Sequence, residues 1–409
     1  MKIKKIIPIM VIASAPLLGF AQEQLKSGIS LENLDRTANP GESFYQFACG
    51  GWMKNNPLPA AYSRYGSFDQ LAQANNKRIN TILAELASKT FTPGSTEQKL
   101  SDFYKQAMDS VRRNKDGVKP AMPLINEIEK ASNTSALRDI QFKYATFGYG
   151  IPLGIGFGAD EKNSRMNILN IYQGGLFLGQ KEYYLDNDSA TAGIRDAYKK
   201  HIIRMFQFFG FDKKSATKKM ENIMKIETAL AKVSKSRAEL RDVAANYNKM
   251  TIEDFESNYP AIKLSAYMSK LDVDNSCFKE LVVGQPDFVS GANKIVESMT
   301  ADELKAYMEW DVILSAVDYL SDDVIAANFD FFGKTMSGRK ENYPRWKRAT
   351  SQVESQMGEA LGKMYVERYF PAAAKARMEK LVENLQISLA QRIREQDWMS
   401  EDTKKAALD

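Results

Sequence analysis

The segment from Tyr62 to Leu86 reads YSRYGSFDQLAQANNKRINTILAEL and marks the point where the chain becomes mainly helical. Up to Gly66, aromatic residues and a glycine are typical of a loop, and from Ser67 onward apolar residues recur at helical spacing. The face predicted to be buried is formed by the following residues: Phe68, Leu71, Ile79, Ile82, Leu83 and Leu86. The sequence therefore predicts a junction between a loop and a helix near residue 66.

Comparable periodicity and N-capping pairs predict helices along most of the remaining chain. The predicted helices lie at about residues 95–111, 190–210, 215–239, 345–369, 372–396 and from 400 onward, with two more between 125 and 147. Capping boxes are predicted at Ser95 with Gln98, Thr251 with Asp254, and Thr300 with Glu303. Residues 151–157 and 166–172 instead alternate with period two around a turn at 160–163. The fold class predicted is mainly α with a small β-hairpin.

The first 21 residues have the pattern of a secretory signal peptide. Lys2, Lys4 and Lys5 precede an apolar run from Ile6 to Phe20, and small residues place cleavage before Gln22. The run is short for a membrane anchor, which needs about 20 apolar residues. Loss of the three lysines lowers the formal charge from +5 to +2, and no basic block supports nucleic-acid binding. Export to the periplasm or the extracellular space is expected, with no stable membrane span after cleavage.

The segment that follows is expected to be an extended, polar arm over residues 22–45, ahead of an aromatic and glycine cluster at 44–52. The chain has two cysteines, Cys49 and Cys277. Two unlinked, buried thiols or one bridge between them are both compatible with the sequence of an exported protein.

The chain contains one histidine, His201, and this count limits the metal chemistry available to it. Zinc sites in proteins are built mainly from histidine and cysteine, and no second histidine or cysteine cluster accompanies His201. Because it follows Lys199 and Lys200 in a predicted amphipathic helix, we expect a surface or partly packed side chain. The sequence also lacks a G-x-S-x-G motif, a P-loop and a dinucleotide fingerprint.

Arg64 is the most suggestive polar residue of the loop before the first long helix. Its planar guanidinium could hold a ligand carboxylate in a bidentate arrangement. A structural role is the alternative, in which Arg64 pairs with Asp69 and fixes the loop. The residues by themselves leave both interpretations open.

Six segments in order resemble the N-terminal region of the neprilysin and endothelin-converting-enzyme family of zinc metalloendopeptidases. They are 44–52 (FYQFACGGW), 63–69 (SRYGSFD), 160–164 (DEKNS), 178–184 (LGQKEYY), 246–251 (NYNKMT) and 398–406 (WMSEDTKKA). By this resemblance Arg64 helps to bind the carboxyl-side end of the substrate, and Phe68 and Asp69 shape and orient that subsite. A second arginine of the family is Ala72 here, which favours endopeptidase cleavage over dipeptide release. The family partner of Cys49 would lie outside this chain.

The resemblance also implies a two-lobed architecture. Residues 22–66 would contribute to a catalytic lobe, residues 67–396 would form a mainly helical lid lobe, and residues 397–409 would begin a C-terminal catalytic region. The two lobes would enclose a chamber that admits small peptides. The family's H-E-x-x-H motif and its later glutamate ligand are absent from the sequence. We therefore expect a truncated chain whose catalytic residues and zinc ligands lie beyond it, and which is inactive alone.

The function predicted for the full-length protein is zinc-dependent endopeptidase action on small peptides outside the cytoplasm. The alternative is an exported helical binding module for peptides or glycans, without catalysis. The enzyme hypothesis predicts a reading frame that continues past Asp409 and contains H-E-x-x-H, whereas the binding module predicts a stop codon there.

Overall fold

The structure is a computed structural model that describes residues 30–409. The predicted signal peptide, residues 1–21, and the start of the predicted arm, residues 22–29, lie outside the described residues. The chain divides between Leu58 and Pro59 into two compact units, which are described one at a time.

The first unit is built around one helix that carries two adjacent glycines. A 3-10 turn at Leu31–Asn33 precedes helix α1, Phe44–Asn55, so the predicted extended arm is a folded turn within the described residues. A Cβ atom on Gly51 would lie 2.4 Å from the backbone oxygen of Glu32. The helix can therefore approach the 3-10 turn only with glycine at this position.

The second unit is mainly helical, and its helices agree with most of the predicted ones. Its α-helices are α2 (Ser67–Ala87), α3 (Thr96–Met108), α4 (Ser110–Asp116), α5 (Met122–Lys130), α6 (Thr134–Lys143), α7 (Glu182–Leu185), α8 (Ser189–Phe208), α9 (Lys213–Val233), α10 (Ile252–Asn258), α11 (Leu264–Lys270), α12 (Pro286–Ser298), α13 (Ala301–Ala316), α14 (Asp322–Asn328), α15 (Arg345–Tyr369), α16 (Ala372–Glu395) and α17 (Glu401–Leu408). A π-helix, Phe329–Met336, follows α14 directly.

The predicted helix starts are confirmed where side chains cap them. Ser95 accepts a hydrogen bond from Gln98 N–H, and Ser400 accepts one from Thr403 N–H. Thr300 and Glu303 form a reciprocal capping box. The helix predicted to run from Ser95 to Val111 ends at Met108, because Asp109 caps a separate helix, α4.

The predicted hairpin is confirmed and is one half of a four-stranded sheet. Strands β1 (Leu153–Asp160) and β2 (Asn163–Gln173) are antiparallel, with Leu153 opposite Gln173. Two strands that the sequence analysis missed, β3 (Asn248–Thr251) and β4 (Glu280–Val283), extend the sheet in the order β1-β2-β4-β3. Each has four residues, too few for a period of two to be recognised.

Two apolar clusters form the core of the second unit. The smaller one joins α2, α3 and α15 through residues that include Ile82, Leu83, Leu100 and Val353. The predicted apolar face of α2 is buried only in its later turns, since Phe68 is 86% exposed and Leu71 is 56% exposed. The first turn of α2 therefore presents its apolar side chains to solvent.

The larger cluster surrounds a buried carboxylate on α9. Glu227 is fully buried and accepts hydrogen bonds from Tyr184 OH at 2.6 Å, Phe177 N–H at 2.8 Å and Tyr198 OH at 3.1 Å. Tyr198 OH in turn accepts a hydrogen bond from the Trp310 indole at 2.8 Å. Burial raises the pKa of the Glu227 carboxyl to about 7 although the three donors oppose this shift.

The two cysteines are free, as one of the two interpretations predicted, but they are not buried. Cys49 is partly exposed and Cys277 is exposed. The prediction that both thiols are buried was wrong, since Cys277 lies in a short 3-10 turn at the surface.

His201 is buried, which corrects the prediction of a surface or partly packed side chain. Its ring stacks on Phe331 with centroids 5.1 Å apart and meets the rings of Trp310 and Phe332 edge to face. Burial lowers the pKa of the His201 imidazole to about 4. The ring is therefore a neutral member of an aromatic cluster at neutral pH.

Acidification is expected to destabilise the fold through His201. An unfolded histidine binds a proton below about pH 6.5, whereas folded His201 does so only near pH 4, so stability falls as the pH drops through this window. The shift corresponds to at most about 3 kcal/mol. His201→Phe removes this pH-dependent loss. The difference in free energy of unfolding, variant minus wild type, should therefore be larger at pH 4.5 than at pH 7 in urea titrations. An equal difference at both pH values would contradict the assignment.

Candidate functional site

The loop of residues 59–66 is anchored to the segment that precedes α15. The backbone oxygen of Ala60 accepts hydrogen bonds from the N–H groups of Lys340 at 2.9 Å and Glu341 at 3.1 Å. Tyr62 N–H closes a turn onto the Pro59 oxygen at 2.9 Å. The start of the loop is therefore held by backbone hydrogen bonds to residues 280 and 281 positions later in the chain.

An aromatic and cationic cluster holds the middle of the loop. Lys347 Nζ donates a hydrogen bond to Tyr62 OH at 2.7 Å and lies 3.7 Å from the ring centroid of Tyr343. The ring of Tyr62 meets those of Tyr65 and Tyr343 edge to face, at 5.3 Å and 5.5 Å. Each such ring pair contributes about 0.5–1.5 kcal/mol beyond its buried area. The cluster makes the loop a rigid support.

Tyr65 joins this loop to the helix that follows it. Its hydroxyl donates to the Gln73 side chain at 3.1 Å, two turns into α2. Partial burial raises the pKa of the Tyr65 phenol, and the nearby Tyr62 and Asp69 raise it further. Tyr65 is therefore neutral at physiological pH and acts as a hydrogen-bond donor.

Asp69 caps α2 instead of pairing with Arg64. Its Oδ2 accepts a hydrogen bond from Gly66 N–H at 2.9 Å, which satisfies a donor at the start of the helix. Within residues 30–409 Arg64 forms no ion pair, and its side chain is exposed. The structure thus does not contain the Arg64–Asp69 pair of the structural interpretation.

The three residues predicted to bind substrate lie within one short region but differ in availability. Arg64 and Phe68 both face solvent, one at the end of the loop and the other in the first turn of α2. Asp69 is engaged with the backbone and can only position its neighbours. Ala72 lies exposed one turn after Phe68, so it provides no second cation there. Arg64 can offer a guanidinium for a ligand carboxylate, and Phe68 can offer a ring for an apolar side chain.

The supporting residues Tyr343 and Lys347 were missed by the sequence analysis. They are separated from Tyr62 by more than 280 positions, and no local pattern links such distant residues. The two tyrosines near Arg64, Tyr62 and Tyr65, could have suggested a packed loop, but they carry no information about its partner.

The described residues do not fit a zinc site. Across residues 30–409, no group of three or more histidine, cysteine or acidic side chains could hold a metal ion. His201 lies among aromatic rings, away from any such group.

In the same part of the chain, no helix has the length and apolar character needed to span a membrane.

Substitutions at Arg64 and Asp69 should separate the two roles. Asp69→Ala removes the α2 cap and should lower the free energy of unfolding by about 1 kcal/mol, whereas Asp69→Asn retains an acceptor and should restore most of it. Arg64→Ala should change stability by less than about 0.5 kcal/mol because its side chain is exposed and unpaired. Urea unfolding followed by circular dichroism tests both. Equal losses for Arg64→Ala and Asp69→Ala would assign Arg64 a structural role.

Comparison with known sequences places most of the chain in one family. The N-terminal model of peptidase family M13 matches residues 40–409. Rat endothelin-converting enzyme 1 is 27% identical over 391 residues, which cover 92% of this chain and 50% of that protein. The human endothelin-converting enzyme 1 is 26% identical over 389 residues, with 92% and 50% covered. The chain spans about half the length of the curated relatives it matches.

Solved structures share the mainly helical fold. The zinc metalloprotease Zmp1 of Mycobacterium tuberculosis, in complex with an inhibitor, has a TM-score of 0.85 and 28% identity, over 93% of this chain and 57% of that one. PepO from Lactobacillus rhamnosis has a TM-score of 0.77 and 20% identity, over 91% and 58%, and shows the fold alone. The resemblance to the neprilysin and endothelin-converting-enzyme family is confirmed, and the chain belongs to peptidase family M13.

Proposed function

We propose that this chain is part of an exported zinc-dependent endopeptidase that cleaves small peptides in an enclosed chamber, and that Arg64 and Phe68 bind the carboxyl-side end of the substrate. The observation that carries the proposal is the exposure of both Arg64, on a loop that Lys347 and its neighbours anchor, and Phe68, four residues later in the first turn of α2. The relatives named as zinc metalloprotease and endothelin-converting enzyme support the reaction class. The N-terminal sequence supports export.

The geometry suits substrate binding because, within residues 30–409, no acidic side chain pairs with the guanidinium of Arg64. Asp69, the nearest acid in sequence, is occupied by Gly66 N–H. A substrate carboxylate or backbone carbonyl can therefore bind Arg64 without breaking an ion pair of the described chain. Because the loop backbone is already held, ligand binding has to order only the Arg64 side chain and not the loop.

The apolar surface of α16, which the residues described here leave exposed, supports a further part of the protein that covers it. Met378, Leu381, Val382, Leu385 and Leu389 form one apolar stripe along this helix and are 48–60% exposed. No residue of α16 is buried. Stripes of this kind are normally covered by another element. In the proposed enzyme, that element belongs to the region that supplies the zinc ligands and encloses the chamber.

Peptidase activity is expected only in a longer product of the same gene. The 409-residue chain should show no chelator-sensitive hydrolysis of a fluorogenic peptide, because its described residues offer no metal site. A product that continues through an H-E-x-x-H motif should cleave the peptide, lose activity with a chelator and regain it with zinc. Chelator-sensitive cleavage by the short chain would contradict the proposal. A gene without the motif would favour the non-catalytic binding module.

Arg64→Ala in that longer product is expected to raise KM about tenfold or more with little change in kcat, since the lost contact exists before and during the reaction. Arg165→Ala is the matched control, because Arg165 is also exposed and forms no ion pair within the described residues. An unchanged KM, or an equal rise for both variants, would remove Arg64 from the binding site.

A further inference from the structure

A groove of about 970 Å³ lies over helix α9, between α8 and α12, and is separate from the loop that carries Arg64. Helix α9 packs against both neighbours and forms the floor. Gly291 of α12 permits this close packing, since a Cβ atom there would lie 2.7 Å from a methyl carbon of Val233. The groove is therefore bounded by regular helices of the second unit, which fix its shape.

The floor of the groove is apolar and adaptable. It includes Met220, Met224 and Thr228 of α9 and Ile295 of α12. Methionine side chains are flexible and polarizable, and surfaces that accept varied apolar partners use them often. The floor thus suits a ligand with several apolar side chains.

The rim of the groove is cationic. Five basic residues line it, Arg195, Lys199, Lys225, Lys232 and Lys294, against the single acid Glu221. This excess favours an anionic ligand.

Two of the five positive charges are neutralised inside the protein. Lys199 pairs with Asp196 at 3.1 Å, and Lys225 pairs with Glu303. Within the described chain, Lys232 and Lys294 have no carboxylate partner, and both are exposed. Arg195 has no carboxylate partner within the described chain either, but its terminal nitrogens already donate to the backbone oxygens of Tyr184 at 2.6 Å and Asp186 at 3.0 Å, so it contributes positive charge and no free donor pair. Positive charge therefore remains at both walls and on the floor helix.

We propose that this groove is a docking site for an acidic peptide segment whose apolar side chains lie on α9 and whose carboxylates pair with Lys232 and Lys294 and are attracted by the charge of Arg195. A fatty acid fits less well, because it has one headgroup whereas the uncompensated cations come from three different helices. An amphipathic helix in a groove is a common mode of peptide recognition and supplies apolar anchors and spaced charges together. This interaction is independent of the proposed peptidase activity.

The probe for this proposal is a fluorescein-labelled helical peptide of about 18 residues, with leucine at helical spacing and glutamate elsewhere. Fluorescence anisotropy with the 409-residue chain should show saturable binding that weakens about fivefold or more between about 50 and 500 mM salt. The same peptide with lysine in place of glutamate should not bind. Equal binding of the two peptides would overturn the proposal, as would displacement of the acidic peptide by an equimolar amount of oleate.

Two variants locate the binding site. Lys232→Glu combined with Lys294→Glu should weaken binding about tenfold or more, and Thr228→Trp should block the floor and weaken it similarly. The control, Lys89→Glu combined with Lys99→Glu, has the same change in charge. Lys89 is exposed just after the end of α2 and Lys99 is exposed on α3, so this variant should bind the peptide as wild type does. Thermal unfolding of each variant verifies folding. Wild-type affinity in both groove variants, or equal losses in groove and control variants, would exclude the groove.

Discussion

The larger core depends on the buried carboxylate of Glu227. Its two oxygens accept hydrogen bonds from groups in the loop after β2, in α7 and in α8. Tyr198 of α8 in turn accepts a hydrogen bond from Trp310 of α13, which extends the network. A buried donor left without an acceptor costs about 1–3 kcal/mol, so removal of this one carboxylate would affect several elements together. The carboxylate costs free energy to bury, as its raised pKa shows, and its three hydrogen bonds offset that cost.

This network also explains why α9 can act as the floor of a groove. The face of α9 that contains Glu227, Ile223 and Leu230 is fixed in the core. The residues Glu221, Lys225, Thr228 and Lys232 follow one another at helical spacing on the opposite, accessible side. An element anchored so firmly on one face presents the other in a constant geometry. The groove is therefore a by-product of the same packing that stabilises the core.

Features with local causes could be predicted from the sequence. The hairpin follows from alternation over residues 151–157 and 166–172, and the helix starts at Ser95, Thr300 and Ser400 follow from single capping side chains. The burial of His201 could also have been found, because Tyr198, Ile202 and Met205 place it on an apolar face. Lys199 and Lys200 obscured that pattern, since they lie on the other side of the same helix.

Features with distant causes could not be predicted. Strand β4 pairs with β2 and β3, and its four residues carry no signal outside that sheet. Helix α1 was not predicted from the sequence, and the close approach of Gly51 to a 3-10 turn is visible only in the structure. The support of the Arg64 loop by Lys347 and Tyr343 likewise depends on contacts between residues far apart in sequence. Resemblance to a family predicted a substrate-binding role for the loop, whereas the contacts that hold it are visible only in the structure.

The hydrogen bond between Asp69 and Gly66 N–H connects stability with the candidate site. A carboxylate at the third position of a helix is stabilised by the positive end of the helix dipole and by the free N–H groups there. This local interaction competes with the Arg64–Asp69 ion pair, which at an exposed site would contribute only about 0–1 kcal/mol. Asp69 therefore caps the helix, and the guanidinium of Arg64 remains without an ion-pair partner in the described residues. The hydrogen bond that closes the start of the helix, from Gly66 to Asp69, thus leaves Arg64 available for a ligand.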